Sequence, residues 1–430
     1  MTFSANLSAT RNESRVPQFK LFGVDAFSGY ITINETTKSN LFFLLVVAKG
    51  NKSDAPLLLW TQGGPGLSAL FGQFLQNGPV AFDSSKYNFT QRNNTLQNNM
   101  SIIYLDLPVG AGFSFTENRT AYPKTLEDIS DSVMEFLEQF LMVFPEYTCR
   151  DFYVAGESYG ARYSVSIAHT LLTSRRKIPL ILKGTISGNG FLGPILDTAD
   201  SSEFRYWTSM VDESGRQQLS QRFQYMKSLL PQNASAIPRI LFDTIFSSPP
   251  GMTPTLFQNL TSYNDYSSPL YTERPLFIQA CFLFLNTSSL IRKQFHVGEK
   301  REFQYYNEDL LMSLAPDYLR DISSLIEGVL NDSSALFYTG QMDSLFPSVN
   351  QRAYYRTLNW TYSKEYRNAK RSPWRPSTWS TYQGYAGFAK RVPNFTEAVL
   401  LGMSHYGAAE KPDEVYYLTM EFINSTASEG

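Results

Sequence analysis

A serine flanked by glycines is the clearest sign of chemistry in this sequence. The motif Gly156-Glu157-Ser158-Tyr159-Gly160 directly follows the apolar segment 152–155 and precedes a stretch whose apolar residues recur at helical spacing. A nucleophilic serine of this kind lies in a sharp turn between a strand and a helix. The flanking glycines are needed because the tight turn leaves no room for other side chains near the serine. An ordinary tight turn is the alternative. The preceding strand favours Ser158 as a nucleophile.

Histidine is the usual base for a serine nucleophile, and this sequence contains three: His169, His296 and His405. His169 lies on the same predicted helix as Ser158, about 16 Å away along the axis, which is too far for a hydrogen bond. In α/β-hydrolases the chain order is serine, acid, histidine. This order favours His405 as the base.

An acid is expected between the nucleophile and the base. Asp343 fits this role, because it follows the predicted strand 335–338 at a point where a loop can direct its carboxylate over the sheet edge. His296 precedes Asp343 and is interpreted as a core or surface residue. A solvated turn aspartate at Asp343 and a surface loop histidine at His405 remain the alternatives.

Acyl transfer also needs hydrogen-bond donors for the negative charge that develops on the carbonyl oxygen. The segment 62–66, Gln-Gly-Gly-Pro-Gly, follows the predicted strand 57–60 and can expose adjacent backbone amides. The N–H of Tyr159, directly after the serine, is the other expected donor. An ordinary loop is the alternative for residues 62–66.

Short apolar segments alternate with amphipathic ones, which is typical of a mostly parallel sheet covered by helices. A helix between two of these strands indicates a βαβ unit. The predicted strands are 41–48, 57–60, 102–105, 152–155 and 335–338, and the predicted helices are 126–141 and about 412–423.

The alternation is lost between residues 196 and 285, where Ser, Asp and Thr cluster and a Pro-Pro-Gly break occurs. We interpret 196–285 as an inserted cap subdomain. Residues 1–195 and 286–430 then form one α/β core, and a chain of 430 residues is long enough to bury it.

The composition argues against two classes of partner. The 37 basic and 39 acidic residues give a net charge of −2, and the chain has no long basic run, so we expect no nucleic-acid binding. The longest apolar runs are shorter than the roughly 20 residues that cross a bilayer, so we expect no membrane span.

Asn-x-Ser/Thr sequons are dense in this chain, which favours N-linked glycans and the secretory pathway over a merely Asn- and Ser-rich surface. The first residues lack the pattern of a signal peptide. Because the sequons favour the secretory pathway, we expect that a leader is missing from this chain. Cys149 and Cys281 either form one disulfide or remain two free, buried thiols. The sequons begin at Asn6, Asn12, Asn34, Asn51, Asn88, Asn93, Asn99, Asn118, Asn233, Asn259, Asn286, Asn331, Asn359, Asn394 and Asn424.

Taken in order, these motifs resemble the serine carboxypeptidases, particularly the vitellogenic-carboxypeptidase-like branch, over nearly the whole chain. The resemblance implies an α/β-hydrolase fold with helices on both faces of the sheet and a cap insertion. The matching blocks are Ser28-Gly29-Tyr30, 41–46, 60–66, 106–114, 156–159, Lys183-Gly184, 188–190, Leu285-Asn286, 296–298, Tyr338-x-Gly340-x-x-Asp343 and His405.

The resemblance implies release of C-terminal residues from peptides and proteins through an acyl-enzyme, in the secretory pathway, secreted or lysosomal. It implies a catalytic triad of Ser158, Asp343 and His405, with no metal or organic cofactor. It also implies an oxyanion hole formed by the N–H groups of Gly64 and Tyr159. Gln62 and Glu157 would hold the substrate's terminal carboxylate, as the family pairs an Asn with a Glu.

Several positions depart from the usual family pattern without touching the triad. They concern carboxylate recognition, the preference for acid pH and the catalytic rate. Gln62 replaces Asn, as in the vitellogenic-like branch, Leu67 replaces Cys, Gln76 replaces Glu, Ser404 replaces Gly, and Tyr406-Gly407-Ala408 replaces Met-Val-Pro.

Two other functions remain open from the sequence. A serine carboxypeptidase-like acyltransferase or an esterase would use the same fold and triad, because neither fixes the acceptor. A catalytically degenerate secreted binding protein is favoured by Gln76 and by the altered residues on both sides of His405. Parallel assays of peptide hydrolysis, ester hydrolysis and acyl transfer distinguish these functions.

Overall fold

A computed structural model describes residues 3–50, 52–230, 232–249 and 251–427 of the chain. These residues form a ten-stranded sheet, a separate two-stranded sheet and surrounding helices. The strands are β1 Ala26–Asn34, β2 Ser39–Val46, β3 Leu57–Thr61, β4 Val80–Asp83, β5 Asn88–Gln91, β6 Ser101–Leu105, β7 Asp151–Glu157, β8 Ile181–Gly188, β9 Ser334–Gly340, β10 Ser372–Trp374, β11 Gly387–Val392 and β12 Phe395–Leu400. The α-helices are α1 Phe3–Glu13, α2 Pro17–Lys20, α3 Leu126–Val143, α4 Gly160–Thr173, α5 Ile195–Thr198, α6 Ser202–Trp207, α7 Glu213–Leu229, α8 Ile237–Ile245, α9 Leu256–Thr261, α10 Leu276–Thr287, α11 Ser289–Gln294, α12 Glu308–Ser313, α13 Ala315–Tyr318, α14 Ser323–Asp332, α15 Ser348–Tyr355, α16 Ser363–Asn368 and α17 Pro412–Ala427.

The large sheet has a parallel centre and antiparallel edges. Its strand order is β1-β2-β6-β3-β7-β8-β9-β12-β11-β10. The six central strands, β6-β3-β7-β8-β9-β12, pair with their neighbours in parallel. The strand pairs on either side of these six are antiparallel. This is the predicted mostly parallel sheet of an α/β-hydrolase. The predicted βαβ unit joins β6 to β7 across one intervening strand, because both strands pair with β3.

Both faces of the sheet are covered, and β3 shows how the sequence accommodates this. Leu57 and Leu59 belong to one buried cluster, whereas Leu58 and Trp60 belong to a second cluster. Helices α3, α4 and α14 contribute to the first cluster and α17 to the second. A strand buried on both faces reads as a continuous apolar run, which is why segment 57–60 was recognisable in the sequence.

Helix α3 illustrates how local sequence sets the limits of an element. It begins with a capping box, in which the Thr125 side chain accepts from the Asp128 N–H and the Asp128 side chain accepts from the Thr125 N–H. Its apolar residues face the core, and Pro145 follows two residues after the helix ends. The predicted helix 126–141 is therefore present as α3.

A helical segment separates β8 from β9. Within the part of the chain that the structure describes, helices α5 to α14 and no strand lie between these two strands. The predicted cap 196–285 falls inside this segment, and its boundaries stay a prediction. The segment matters for the site because some of its residues contact the loops that follow the parallel strands.

The two cysteines are free thiols: Cys149 is exposed, whereas Cys281 is buried on α10. Of the two alternatives that the sequence left open, the structure has the unpaired one, but the expected burial holds only for Cys281. Among the described residues, no helix combines the length and the apolar character that a membrane crossing requires.

Candidate active site

Five of the parallel strands end at the same edge of the sheet, and polar residues follow each of them. Gln62 follows β3, Ser158 follows β7, Asn189 follows β8, Asp343 follows β9, and His405 follows β12. In open α/β sheets, sites form outside the carboxyl ends of the strands. The topology thus brings together residues that lie up to 343 positions apart in the chain.

Ser158 occupies a strained turn between β7 and α4. Its φ angle is +58°, in the left-handed region that residues with a side chain rarely adopt. A β-carbon on Gly156 would lie 2.0 Å from the carbonyl oxygen of Gly160, so the turn closes only with a glycine at position 156. The result is a half-buried serine hydroxyl at the tip of the turn, as the motif predicted.

Ser158, His405 and Asp343 form a continuous hydrogen-bonded chain. The Oγ of Ser158 lies 3.0 Å from Nε2 of His405, and Nδ1 of His405 lies 2.9 Å from Oδ2 of Asp343. The other carboxylate oxygen of Asp343 accepts the N–H groups of Leu345 and Phe346, both at 2.9 Å. Asp343 is fully buried, so these contacts hold its carboxylate in one orientation.

The charges around His405 favour its protonated form. Burial is the largest single influence and lowers the pKa of His405, but Asp343, Glu157 and Glu410 together raise it by more, so that the pKa is raised overall. An imidazole in this setting is well suited to receive a proton from Ser158, because the imidazolium that forms is stabilised by Asp343.

The loop after β3 packs directly against the serine turn. A β-carbon on Gly63 would lie 2.7 Å from Cβ of Ser158 and 2.9 Å from the backbone N of Tyr159. Gly64, the next residue, has a φ of +110°, which favours glycine. No hydrogen bond within the described part of the chain uses the N–H of Gly64 or of Tyr159. Both donors are therefore available to a ligand beside Ser158.

Glu157 is buried between two glutamines next to the serine. Its Oε1 accepts from Nε2 of Gln62 at 3.2 Å, and its Oε2 accepts from Nε2 of Gln76. Trp60 fixes the amide orientation of Gln62 by donating its indole N–H to Oε1 at 3.2 Å. Burial raises the pKa of Glu157 to about 7, so the group is protonated in mildly acidic solution.

Asn189 links the two loops that carry the histidine and the acid. Its Nδ2 donates to the carbonyl oxygens of Ser404 and His405 at 3.0 and 2.9 Å, and its Oδ1 accepts from the Gly340 N–H at 2.7 Å. The sequence signal for Asn189 is the Gly188-Asn189-Gly190 block, one of the blocks that carry the family resemblance.

Two further residues that sequence reasoning missed, Glu410 and Ser267, form hydrogen bonds with the loop that carries His405. Glu410 accepts the N–H of Ser404 at 2.8 Å and also its hydroxyl. The carbonyl oxygen of Ser267, from the helical segment between β8 and β9, accepts the N–H groups of His405 and Ser344, both at 3.3 Å. The helical segment thus touches both loops.

The other two histidines lie outside this cluster. His169 is on α4, and its ring packs close to Gly328 of α14. A β-carbon added to Gly328 would lie 2.8 Å from Cδ2 of this ring. His296 lies 3.2 Å from the Ser28 hydroxyl through its Nδ1. Neither is hydrogen bonded to Ser158 or Asp343.

Comparison with known protein families identifies the family of this chain. Residues 17–425 match the sequence model of the serine carboxypeptidases, Peptidase_S10. The chain belongs to the serine carboxypeptidase family. It is accordingly a serine-type carboxypeptidase, a hydrolase that releases C-terminal residues from peptides.

Curated relatives of this carboxypeptidase resemble it over nearly their whole length. The venom serine carboxypeptidase of Apis mellifera is 28% identical, covering 98% of this chain and 89% of the relative. The probable serine carboxypeptidase CPVL of Homo sapiens is 28% identical, covering 96% and 86%. The vitellogenic carboxypeptidase of Aedes aegypti is 27% identical, covering 97% and 87%. The resemblance to the vitellogenic-like branch is confirmed, and the acyltransferase, esterase and binding-protein alternatives are not favoured.

A solved structure shares the fold. The prohormone-processing carboxypeptidase Kex1(delta)p of Saccharomyces cerevisiae superimposes with a TM-score of 0.80 at 19% identity, covering 97% of this chain and 96% of that one. The predicted α/β-hydrolase fold is therefore confirmed.

Proposed function

We propose that Ser158, His405 and Asp343 carry out the carboxypeptidase reaction of this chain. The observation that carries the proposal is the unbroken series of contacts from the Ser158 hydroxyl through both ring nitrogens of His405 to Asp343. This arrangement is the one that activates a serine for acyl transfer. Each of the three residues follows a different strand, in the order serine, acid, histidine.

In the first half of the reaction, Ser158 attacks the carbonyl carbon of the last peptide bond while His405 accepts its proton. The oxyanion that forms lies against the N–H groups of Gly64 and Tyr159. His405 then gives the proton to the leaving amine. The C-terminal amino acid departs, and the rest of the peptide remains as an ester on Ser158.

In the second half, water replaces the departed amine. His405 takes a proton from the water as it attacks the ester carbonyl, and returns that proton to the Ser158 oxygen when the bond breaks. The shortened peptide leaves with a new C-terminal carboxylate. Asp343 keeps the imidazole in the required orientation through both halves.

Glu157 and Gln62 give the enzyme its preference for a C-terminus. A carboxyl group can bind a substrate carboxylate only when one of the two is protonated, and burial keeps the proton on Glu157 below pH 7. The Gln62 amide adds a donor beside it. Glu157 directly precedes Ser158 in the chain and Gln62 contacts Glu157, so a peptide held by its terminal carboxylate presents its last peptide bond to the nucleophile.

A comparison of free-acid and amidated peptides tests this preference. At pH 5, we expect kcat/KM for a blocked dipeptide with a free C-terminus to exceed that of its C-terminal amide by at least about tenfold, as befits the loss of a charged hydrogen bond. Activity on the free acid should fall as the pH rises through about 7, because Glu157 then ionises and repels the substrate carboxylate. Equal rates on the two peptides at pH 5 would contradict carboxylate recognition.

The variant Gln76→Glu tests the same pH limb. A second carboxyl beside Glu157 would share its proton and raise the apparent pKa of the pair, so activity should persist to higher pH than in the unmodified enzyme. Gln139→Glu on α3, whose amide donates to the Thr32 carbonyl oxygen, adds the same charge away from the site and serves as the control. Superimposable profiles for Gln76→Glu and the unmodified enzyme would rule out a role for position 76.

We also propose that the enzyme carries N-linked glycans and belongs to the secretory pathway, secreted or lysosomal. Most sequon asparagines with described side chains are exposed. Asn286 and Asn394 are half-buried, whereas Asn6 and Asn51 lie outside the residues whose side chains are described. A surface with this many accessible acceptors is typical of a glycoprotein.

A further inference from the structure

We propose that Asp317 and Tyr318, two adjacent residues of the one-turn helix α13, position both donors of the oxyanion hole. Tyr318 acts through Gly64, and Asp317 acts through Tyr159. This inference rests on the proposed function, which assigns the N–H groups of Gly64 and Tyr159 to the oxyanion.

The first contact is with the glycine loop. The phenol of Tyr318 donates to the carbonyl oxygen of Gly64 at 2.8 Å. Gly64 has a φ of +110° and is exposed, so its backbone has wide conformational freedom. Because Gly64 has no side chain to pack, fixing its carbonyl group limits the rotation of the residue that also carries the donor N–H.

The second contact is with the serine turn. The phenol of Tyr159 donates to Oδ2 of Asp317 at 2.9 Å in a fully buried position. The rings of Tyr159 and Tyr318 pack together with their centroids 5.1 Å apart, and Phe191 packs against both. Tyr159 is therefore held at its ring and at its hydroxyl, while its backbone N–H stays free beside Ser158.

Arg162 anchors the pair to the helix that follows the nucleophile. Its Nη2 donates to the Asp317 carbonyl oxygen at 2.8 Å and to the Arg320 carbonyl oxygen at 3.0 Å, and lies 3.3 Å from Oδ2 of Asp317. The side chains of Arg162 and Asp317 are 0% and 1% exposed. Electrostatic interactions are strong in such a dry environment, so Asp317 is a well-fixed acceptor.

The consequence is that one short segment sets the separation of the two donor amides. Gly64 and Tyr159 belong to different loops, and α13 contacts both through consecutive residues. Donors of an oxyanion hole contribute only when they are already aimed at the position that the charge will occupy. A small displacement of either loop would therefore slow the chemical step without weakening the binding of an intact peptide.

The test removes each phenol hydroxyl while keeping its ring. For both Tyr318→Phe and Tyr159→Phe, we expect kcat to fall about tenfold, less than the loss of a donor itself would cause. The dissociation constant of an uncleaved peptide, measured with each change made in a Ser158→Ala background, should stay within about twofold, since ground-state binding does not use the hole. Affinity for a peptide aldehyde, which forms a tetrahedral adduct with Ser158, should fall by the same factor as kcat.

Tyr153→Phe is the matched control. Tyr153 lies on β7, the strand that leads to Ser158. Its buried hydroxyl is 2.7 Å from the Thr426 hydroxyl and donates to the Ile423 carbonyl oxygen at 3.3 Å, away from the site. This variant should lose a comparable hydrogen bond while keeping its kcat.

Three results would overturn the proposal: an unchanged kcat in both tyrosine variants, an equal loss in Tyr153→Phe, or a loss of peptide affinity that accounts for the fall in rate. Any of them, combined with an inactive Ser158→Ala enzyme, would reject the positioning role while leaving the proposed function intact. A fully active Ser158→Ala enzyme would instead reject the proposed function.

Discussion

Replacing Ser158 with Ala is expected to lower kcat for peptide hydrolysis by at least about 10⁴-fold, because no other group can form the acyl-enzyme. The fold and peptide binding should change little, since among the described residues the half-buried hydroxyl has one side-chain partner, His405. Steady-state kinetics on a blocked dipeptide measure the first effect. Calorimetric titration with the same peptide measures the second.

Ser164→Ala provides the control for this substitution. Ser164 lies on α4 close to the nucleophile turn, but its hydroxyl donates to the Ala161 carbonyl oxygen within its own helix. We expect this variant to retain its activity. Peptide hydrolysis at a near-normal rate in Ser158→Ala would contradict the mechanism.

His405→Ala should be about as severe as Ser158→Ala, with a loss of at least about 10⁴-fold in kcat, because the serine would then lack its base. The two losses should not add in the double variant, since the two residues act as one unit. Measurement of kcat for both single variants and the double variant tests this expectation.

The other two histidines are matched controls for the base. His169→Ala and His296→Ala should change kcat less than about threefold, because neither ring contacts Ser158. If His296→Ala were severe and His405→Ala mild, the base would have been assigned to the wrong residue.

Much of the fold was predictable because its central strands carry an unambiguous signal. Segments 57–60 and 152–155 are apolar throughout, since both faces of each strand are buried. The proposed triad could be assembled from the sequence because the chain has only three histidines and their order along the chain left one candidate. The structure then places His405 within hydrogen-bond distance of both Ser158 and Asp343.

The positioning contacts were not predictable, because they join residues that are distant in the chain and show no periodic pattern. Tyr318 and Gly64 are 254 positions apart, and Asp317 and Tyr159 are 158 apart. Asn189 acts through its amide on two loops from other strands. Such contacts depend on the final packing of side chains, which hydrophobic periodicity does not encode.

The protonation of Glu157 also required the structure. The sequence placed a carboxyl next to the nucleophile, but the pKa of that carboxyl depends on its burial and on the two glutamines around it. Gln76 reaches Glu157 from 81 positions away along the chain. Burial in this arrangement raises the pKa of Glu157 to about 7.

Labelling with a fluorophosphonate probe tests the central claim most directly, because phosphonylation of a serine requires both a nucleophile and a functioning base. Mass spectrometry of the digested enzyme should locate one adduct, on Ser158. The adduct should be absent in Ser158→Ala and strongly reduced in His405→Ala, and it should form normally in His296→Ala. An adduct on another residue, or none in a preparation that hydrolyses peptides, would contradict the assignment of Ser158 and His405.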